Sequence, residues 1–367
     1  MANRGLVTIT EDEQGMNGTL LEEMLAPSSL WSVYLQGIMI VRNGYVVLEE
    51  YPDSDFNESS LSNTWSVTKS IISILVGIAL EEGYLSSLDE TMVSFFPDRI
   101  IANRDSQKES ITLRHLLTMK SGLQWNPYTD PGLMRESSDW VQYALDKPMS
   151  STPGEIWTYN SGGAHILSAI LLETIGMTPS TFADIHLFQP LGIDEYEWEV
   201  DPQGLDYGAN GLQLTVRDMA KIGFLFLNNG TWDAEQIVSR GWVENSTKVY
   251  TTECGGGGFE GEYGYLWWIK SSYNAYCAYG SYGQWIWVFP DYNLIFVTKS
   301  TFQTILIDNL ITEYILPSLD YIQMTTTTTT TTTTPVNGSG EVDIILIALA
   351  ISGVVVIIAI VVFIKRW

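Results

Sequence analysis

Ser66 and Lys69 stand three residues apart at the head of an apolar run over residues 66–80. On a helix that spacing puts both side chains on one face, so a hydroxyl and an amine can meet. The partial positive charge of a helix N-terminus favours an alkoxide over a neutral hydroxyl. Ile71, Ile72, Leu75, Val76, Ile78 and Leu80 leave the run apolar on nearly every side, which predicts a helix buried in the core. A lysine beside such a core loses hydration, its pKa falls, and the neutral amine can serve as a base. The chemistry implied is attack by the Ser66 oxygen with Lys69 taking its proton. An isolated S-x-x-K is a weak signal, and its ordinary alternative is a surface lysine on a helix. Here the pair opens the most hydrophobic stretch ahead of the C-terminus.

The elements that must hold this pair can be read from the flanking sequence. Residues 37–41 and 45–48 flank Asn43-Gly44, a strong hairpin signal. The Ser66 helix follows and should end near Gly83. Helical patterns then occupy 112–120, 138–145, 163–175, 181–188 and 216–227. Strand patterns return at 265–270, 284–289 and 293–299, with a last helix expected over 305–319. Strands at both ends of this order predict an α/β (α+β) fold in which N- and C-terminal strands share one antiparallel sheet, flanked by helices, with an all-helical region inserted. Gly255–Gly258 reads as a loop; with no Lys-Ser/Thr after it, it is not a phosphate loop.

Composition narrows the partners. The chain has 367 residues, of which 45% are hydrophobic and 12% aromatic, enough for an ample core and too much for global disorder. A net charge of −25 repels a phosphate backbone, so nucleic acid is not an expected partner. His115, His165 and His186 lie in helical or mixed contexts without metal-ligand spacing and read as structural. Cys254 and Cys277 cannot make a zinc site alone, and a disulfide between them would require an oxidising compartment. No metal and no organic cofactor is expected.

The C-terminus carries a different signal. Residues 344–364 are uncharged and apolar, long enough to cross the hydrocarbon core as one helix. Lys365 and Arg366 follow it and Glu341 and Asp343 precede it, which places the tail on the cytoplasmic side. The expectation is a single-pass membrane protein with a C-terminal anchor and an extracellular soluble domain. The threonine tract 325–334, with Pro335 and Gly338-Ser339-Gly340, reads as an extended stalk open to O-glycosylation. Sequons begin at Asn17, Asn57, Asn229, Asn245 and Asn337. Against this orientation, residues 1–25 show no basic start followed by an apolar segment, so no signal peptide is visible, and either the start lies upstream or export depends on the tail itself. The expected division is a variable N-terminal segment (1–25), a hydrolase domain (26–323), a stalk (324–343), a transmembrane helix (344–364) and a basic tail (365–367).

Two further motifs accompany Ser66-Val67-Thr68-Lys69. One is Trp157-Thr158-Tyr159-Asn160-Ser161-Gly162-Gly163, which leads into an apolar helix. The other is Ala278-Tyr279-Gly280-Ser281-Tyr282-Gly283-Gln284, which leads into a strand ending at Phe289-Pro290-Asp291. Their order, with Ile111-Thr112-Leu113-Arg114-His115-Leu116-Leu117, Ser121-Gly122-Leu123, Gly211-Leu212 and Gly264-Tyr265-Leu266-Trp267-Trp268, resembles the serine β-lactamase-related hydrolases. That group spans class C β-lactamases, D-aminopeptidases, family VIII esterases and 6-aminohexanoate-dimer hydrolases. The likeness is strongest to the aminohexanoate-oligomer branch and covers roughly residues 26–320.

The resemblance implies a β-lactamase/transpeptidase-like fold and an acyl-enzyme mechanism on a small-molecule or peptide-like amide or ester. It implies Ser66 as nucleophile, Lys69 as base and Tyr159 as proton relay to the leaving group. The backbone N–H groups of Ser66 and Ser281, beside Gly280, would hold the oxyanion. Ser161, Tyr279 and Trp285 would lie along the substrate, and Trp267 and Trp268 would line a pocket or fill core. Two positions depart from the family pattern. Ser161 replaces the Asn of Y-x-N, and Ala278 replaces the Lys of K-T-G, which argues against penicillin-type substrates. These departures favour one alternative, a catalytically weak or inactive surface binding protein of the same fold.

Overall fold

The computed structural model describes residues 6–26, 34–256, 259–301 and 309–319, together with C-terminal strands at Thr327–Thr329, Asp343–Ile351 and Val354–Val362. Its centre is a nine-stranded sheet. In chain order the strands are β1 (Val7–Thr8), β2 (Leu35–Arg42), β3 (Tyr45–Glu50), β4 (Thr251–Gly256), β5 (Phe259–Tyr263), β6 (Trp268–Lys270), β7 (Ala275–Gly280), β8 (Gln284–Phe289) and β9 (Leu294–Ser300). Across the sheet they run β1-β3-β2-β9-β8-β7-β6-β5-β4. Pairing is antiparallel except between β1 and β3. The two ends of the chain meet where β2 pairs β9, with Ile40 opposite Phe296, as the strand order predicts.

Every residue of β8 and β9 is buried, so both faces of the central strands are covered. Four helices matter for the site: α1 (Gly18–Leu25), α2 (Val67–Glu81), α3 (Ser161–Ile175) and α4 (Val216–Leu227). Helix α4 crosses the sheet at Gly223, where a Cβ would come within 2.8 Å of Ile295 and 2.9 Å of Ile286. Helix α2 packs on β7, β8 and α3. It is buried from Val67 to Ala79, which is why its sequence lacks a polar face.

Several boundaries differ from the sequence reading. Residues 6–25 pack on the rest of the fold: β1 pairs β3, and Met16, Leu21 and Met24 belong to the core. Helix 112–120 shortens to Leu113–Leu117. The pattern over 181–188 splits into Pro179–Ala183 and a π-helical turn at Asp184–Phe188. The strand expected from 265 begins only at Trp268, because Leu266 takes a left-handed φ of 60°. Gly255 and Gly256 lie in β4 rather than a loop, and 257–258 lie outside the described residues. Of the last helix, Leu310–Leu319 is described and packs against α1; 302–308 lie outside the described residues.

The C-terminal run departs most. Asp343–Ile351 and Val354–Val362 form an antiparallel pair, with Thr327–Thr329 alongside, instead of one helix. Val and Ile make up most of this run, and β-branched residues favour extended backbone. The rest of the expected stalk lies outside the described residues. Among the described residues no single helix is long and apolar enough to cross a membrane. Cys254 and Cys277 are both buried and are not joined by a disulfide.

Candidate active site

Ser66 sits at the head of α2, where the chain turns sharply out of the short strand Ser62–Asn63. Trp65 carries the turn with a φ of 50°, a left-handed conformation that costs roughly 1–2 kcal/mol for an L-residue. Several contacts hold it there. The Trp65 N–H donates to Asn63 Oδ1 at 2.7 Å. The Thr64 N–H and hydroxyl both donate to the Leu212 carbonyl at 2.8 Å. Lys299 Nζ, on β9, donates to the Ser62 carbonyl and hydroxyl at 2.7 Å each. The sheet thus grips the segment that presents Ser66.

One turn along α2, Lys69 Nζ lies 2.9 Å from Ser66 Oγ and 2.8 Å from the Ala209 carbonyl. The lysine is 2% exposed, and burial pushes its pKa down to about 7. The Tyr159 phenol is near enough to Ser66 for the serine side chain to lower its pKa, and the Tyr159 ring lies 4.9 Å from Lys69 Nζ. Burial raises the Tyr159 pKa above its ordinary value, and Ser66 acts the other way without cancelling it. At neutral pH the phenol therefore keeps its proton while a large share of the amine has lost its own.

Strand β7 closes the opposite side. A Cβ on Gly280 would overlap the Thr64 carbonyl and come within 3.1 Å of the Ser66 nitrogen. Only glycine lets the strand end approach Ser66 this closely. Ser281 is exposed and opens a three-residue turn rather than continuing the strand. Tyr282 in that turn has a φ of 64°, and its ring packs on Trp65 at 4.9 Å. The hairpin tip and the turn before Ser66 therefore brace each other. This places backbone of 280–281 beside the N-terminus of α2, an arrangement that can hold an oxyanion.

The remaining candidates divide. Tyr279 is half-buried, close enough to Tyr159 to raise its pKa, and stacks on Trp285 at 4.1 Å. Trp285 is only 1% exposed, so it supports Tyr279 from beneath instead of facing substrate. Trp267 is core, while Trp268 stacks on the Tyr159 ring at 6.1 Å and fixes its plane. Asn160 caps α3 by accepting from the Gly163 N–H at 2.9 Å. The next residue, Ser161, is buried and near enough to lower the pKa of Tyr207, a residue sequence reasoning missed. Tyr207 is 2% exposed, its ring lies 5.2 Å from the Arg135 guanidinium, and burial pushes its pKa up to about 12. Its signal was faint: it heads the short stretch Tyr207-Gly208-Ala209-Asn210-Gly211, whose Ala209 carbonyl receives Lys69.

The Beta-lactamase family model matches residues 20–304. The chain belongs to the Beta-lactamase family. Among curated relatives of this Beta-lactamase-family chain, the 6-aminohexanoate-dimer hydrolase of Paenarthrobacter ureafaciens is 24% identical over 285 residues, covering 71% of each chain. Esterase EstB of Burkholderia gladioli is 26% identical over 172 residues, 43% of each. Two solved structures share the fold. A family VIII carboxylesterase aligns with a TM-score of 0.65 at 12% identity, over 84% of this chain and 98% of its own. The octameric penicillin-binding protein homologue from Pyrococcus abyssi aligns at 0.63 and 19%, over 93% and 90%.

Proposed function

We propose that the protein is a serine hydrolase that cleaves amide or ester bonds through an acyl-enzyme on Ser66. The observation that carries this reading is the 2.9 Å contact between Ser66 Oγ and a desolvated Lys69 amine held at about 7. Lys69 takes the Ser66 proton as Oγ bonds to the substrate carbonyl carbon. The Ser66 and Ser281 N–H groups hold the resulting oxyanion. The bond to the leaving nitrogen or oxygen then breaks as Tyr159 donates its proton, and Tyr159 is reprotonated from Lys69. Water attacks the acyl-enzyme by the same route in reverse and frees the acid. The relatives' hydrolase and esterase names support this reaction class.

The wholly buried Ala278 leaves no cation at the K-T-G position, which favours linear amides and esters over penicillin-type substrates. A panel of p-nitrophenyl esters, linear amides, D-amino-acid amides and β-lactams tests the reading. Turnover should fall at least about a thousandfold in Ser66→Ala; equal rates in that variant would remove the mechanism. The second reading, an inactive binding protein of the same fold, is motivated by Ala278 and Ser161. It predicts no turnover across the panel and no change in ligand binding in Ser66→Ala.

The run at 344–364, between acidic and basic flanks, supports attachment to a bilayer with the hydrolase domain outside. In lipid an open-edged hairpin would leave backbone groups unpaired, so the run would have to close its own hydrogen bonds as a helix. The full chain should sediment with membranes and resist carbonate extraction, whereas a chain ending at residue 323 should not. Release of the full chain by carbonate would refute the anchor.

A further inference from the structure

The segment that offers its carbonyl to Lys69 is fastened to α3 at three points. His165 and Asp201 are wholly buried, with His165 Nε2 3.2 Å from Asp201 Oδ2. The Gly208 N–H donates to His165 Nδ1 at 3.4 Å. A nitrogen that accepts carries no proton, so the ring proton belongs on Nε2, facing the carboxylate. Ser168 Oγ donates to the Asp206 carbonyl at 2.6 Å. Gly208 lies so close to α3 that a Cβ there would overlap the Ala164 carbonyl. Asp201 Oδ1 in turn accepts from the N–H groups of Gln203 and Leu205, at 2.8 and 2.9 Å. The rings of Trp140 and Tyr207 pack edge-on to the imidazole, at 5.8 and 5.5 Å.

Burying a His–Asp pair is costly, and apolar side chains would serve mere packing as well. What the pair does here is fix the residue before Ala209. We propose that His165 is a positioning residue for the reaction: through Gly208 it sets the Ala209 carbonyl that aims the Lys69 amine at Ser66. This rests on the reading of Lys69 as the base. The titratable groups facing Lys69 are the Ser66 hydroxyl and the Tyr159 phenol, with Tyr207 and Tyr279 beyond the latter. Those facing His165 are Asp201 and Tyr207. The Ala209 carbonyl favours the ammonium form of Lys69, so its displacement should make the amine easier to deprotonate while aiming it worse.

The test measures covalent labelling of Ser66 by a fluorophosphonate against pH, read by intact mass, in wild type, His165→Phe and Gly208→Ala. Gly208→Ala displaces the same segment without leaving a buried carboxylate unpaired, so it carries the test if His165→Phe does not fold. The labelling rate should fall about 100-fold, and the acid limb should move down by about one pH unit. Folded variants that keep the wild-type rate, or lose rate with the acid limb unmoved, overturn the proposal. Equal labelling of Ser66→Ala would instead overturn the proposed function.

Discussion

Lys69 and Lys299 are both buried lysines whose amines touch neutral oxygens, and burial pushes both down to about 7. Each touches one carbonyl and one serine hydroxyl, so they differ only in where that serine stands. Ser62 lies in a short strand whose carbonyl Lys299 also ties down, whereas Ser66 heads α2 beside the end of β7. Only the second serine has a helix N-terminus and a strand end beside it that could hold an oxyanion. Activity should therefore rise with pH through about 7, as Lys69 loses its proton. Tyr159→Phe should lower kcat by about 10²–10⁴ yet leave that acid limb in place, since the phenol stays protonated throughout this range. A pH–rate profile of the variant decides it: loss of the limb would make Tyr159, not Lys69, the resting base. Ser66, Lys69 and Tyr159 were legible in sequence because each sits in a short motif beside a helix start. Tyr207 and Ala209 were not: Ala209 meets Lys69 from 140 residues along the chain, through a backbone carbonyl that any residue type could supply, and Tyr207 comes to Ser161 from a separate loop that carries no motif.

Among elements, the decisive contact is the end of β7 against the turn before α2. Gly280 permits it, and the Trp65 and Tyr282 rings, packed at a tilt, clamp it. Gly280→Val should force the strand end away from the Ser66 nitrogen, costing about 1–3 kcal/mol of stability and about 100-fold in kcat/KM. Thermal melts and steady-state kinetics check this; wild-type kinetics in a folded variant would show that the strand end plays no part in the oxyanion site. The helices themselves were readable where apolar periodicity was long, as in α2, α3 and α4. Their ends were not, because caps decide them. Asn160 starts α3 two residues before the apolar pattern does, and Gly176 stops it with a φ of 79°.

At the scale of the molecule, strands at both ends of the order predicted one shared sheet, and the pairing of β2 with β9 realises it. That pairing brings Lys299 to Ser62 and, two strands further, Gly280 to Ser66, so the sheet is the frame on which the site is assembled. The elements within residues 6–25 escaped the reading because a two-residue strand and an eight-residue helix carry too little periodicity to be seen. Hydropathy over 344–364 speaks to length and apolarity but not to backbone state, and there the helix expected from it and the paired strands part company.

The account stands on a proton passing between Ser66 and Lys69. Intact-mass analysis after exposure to a fluorophosphonate tests this most directly, with the modified residue mapped by peptide sequencing. One adduct on Ser66 is expected in wild type, none in Ser66→Ala, and labelling slowed at least about a hundredfold in folded Lys69→Ala. An adduct on another residue, or Lys69→Ala labelled at the wild-type rate, would contradict it.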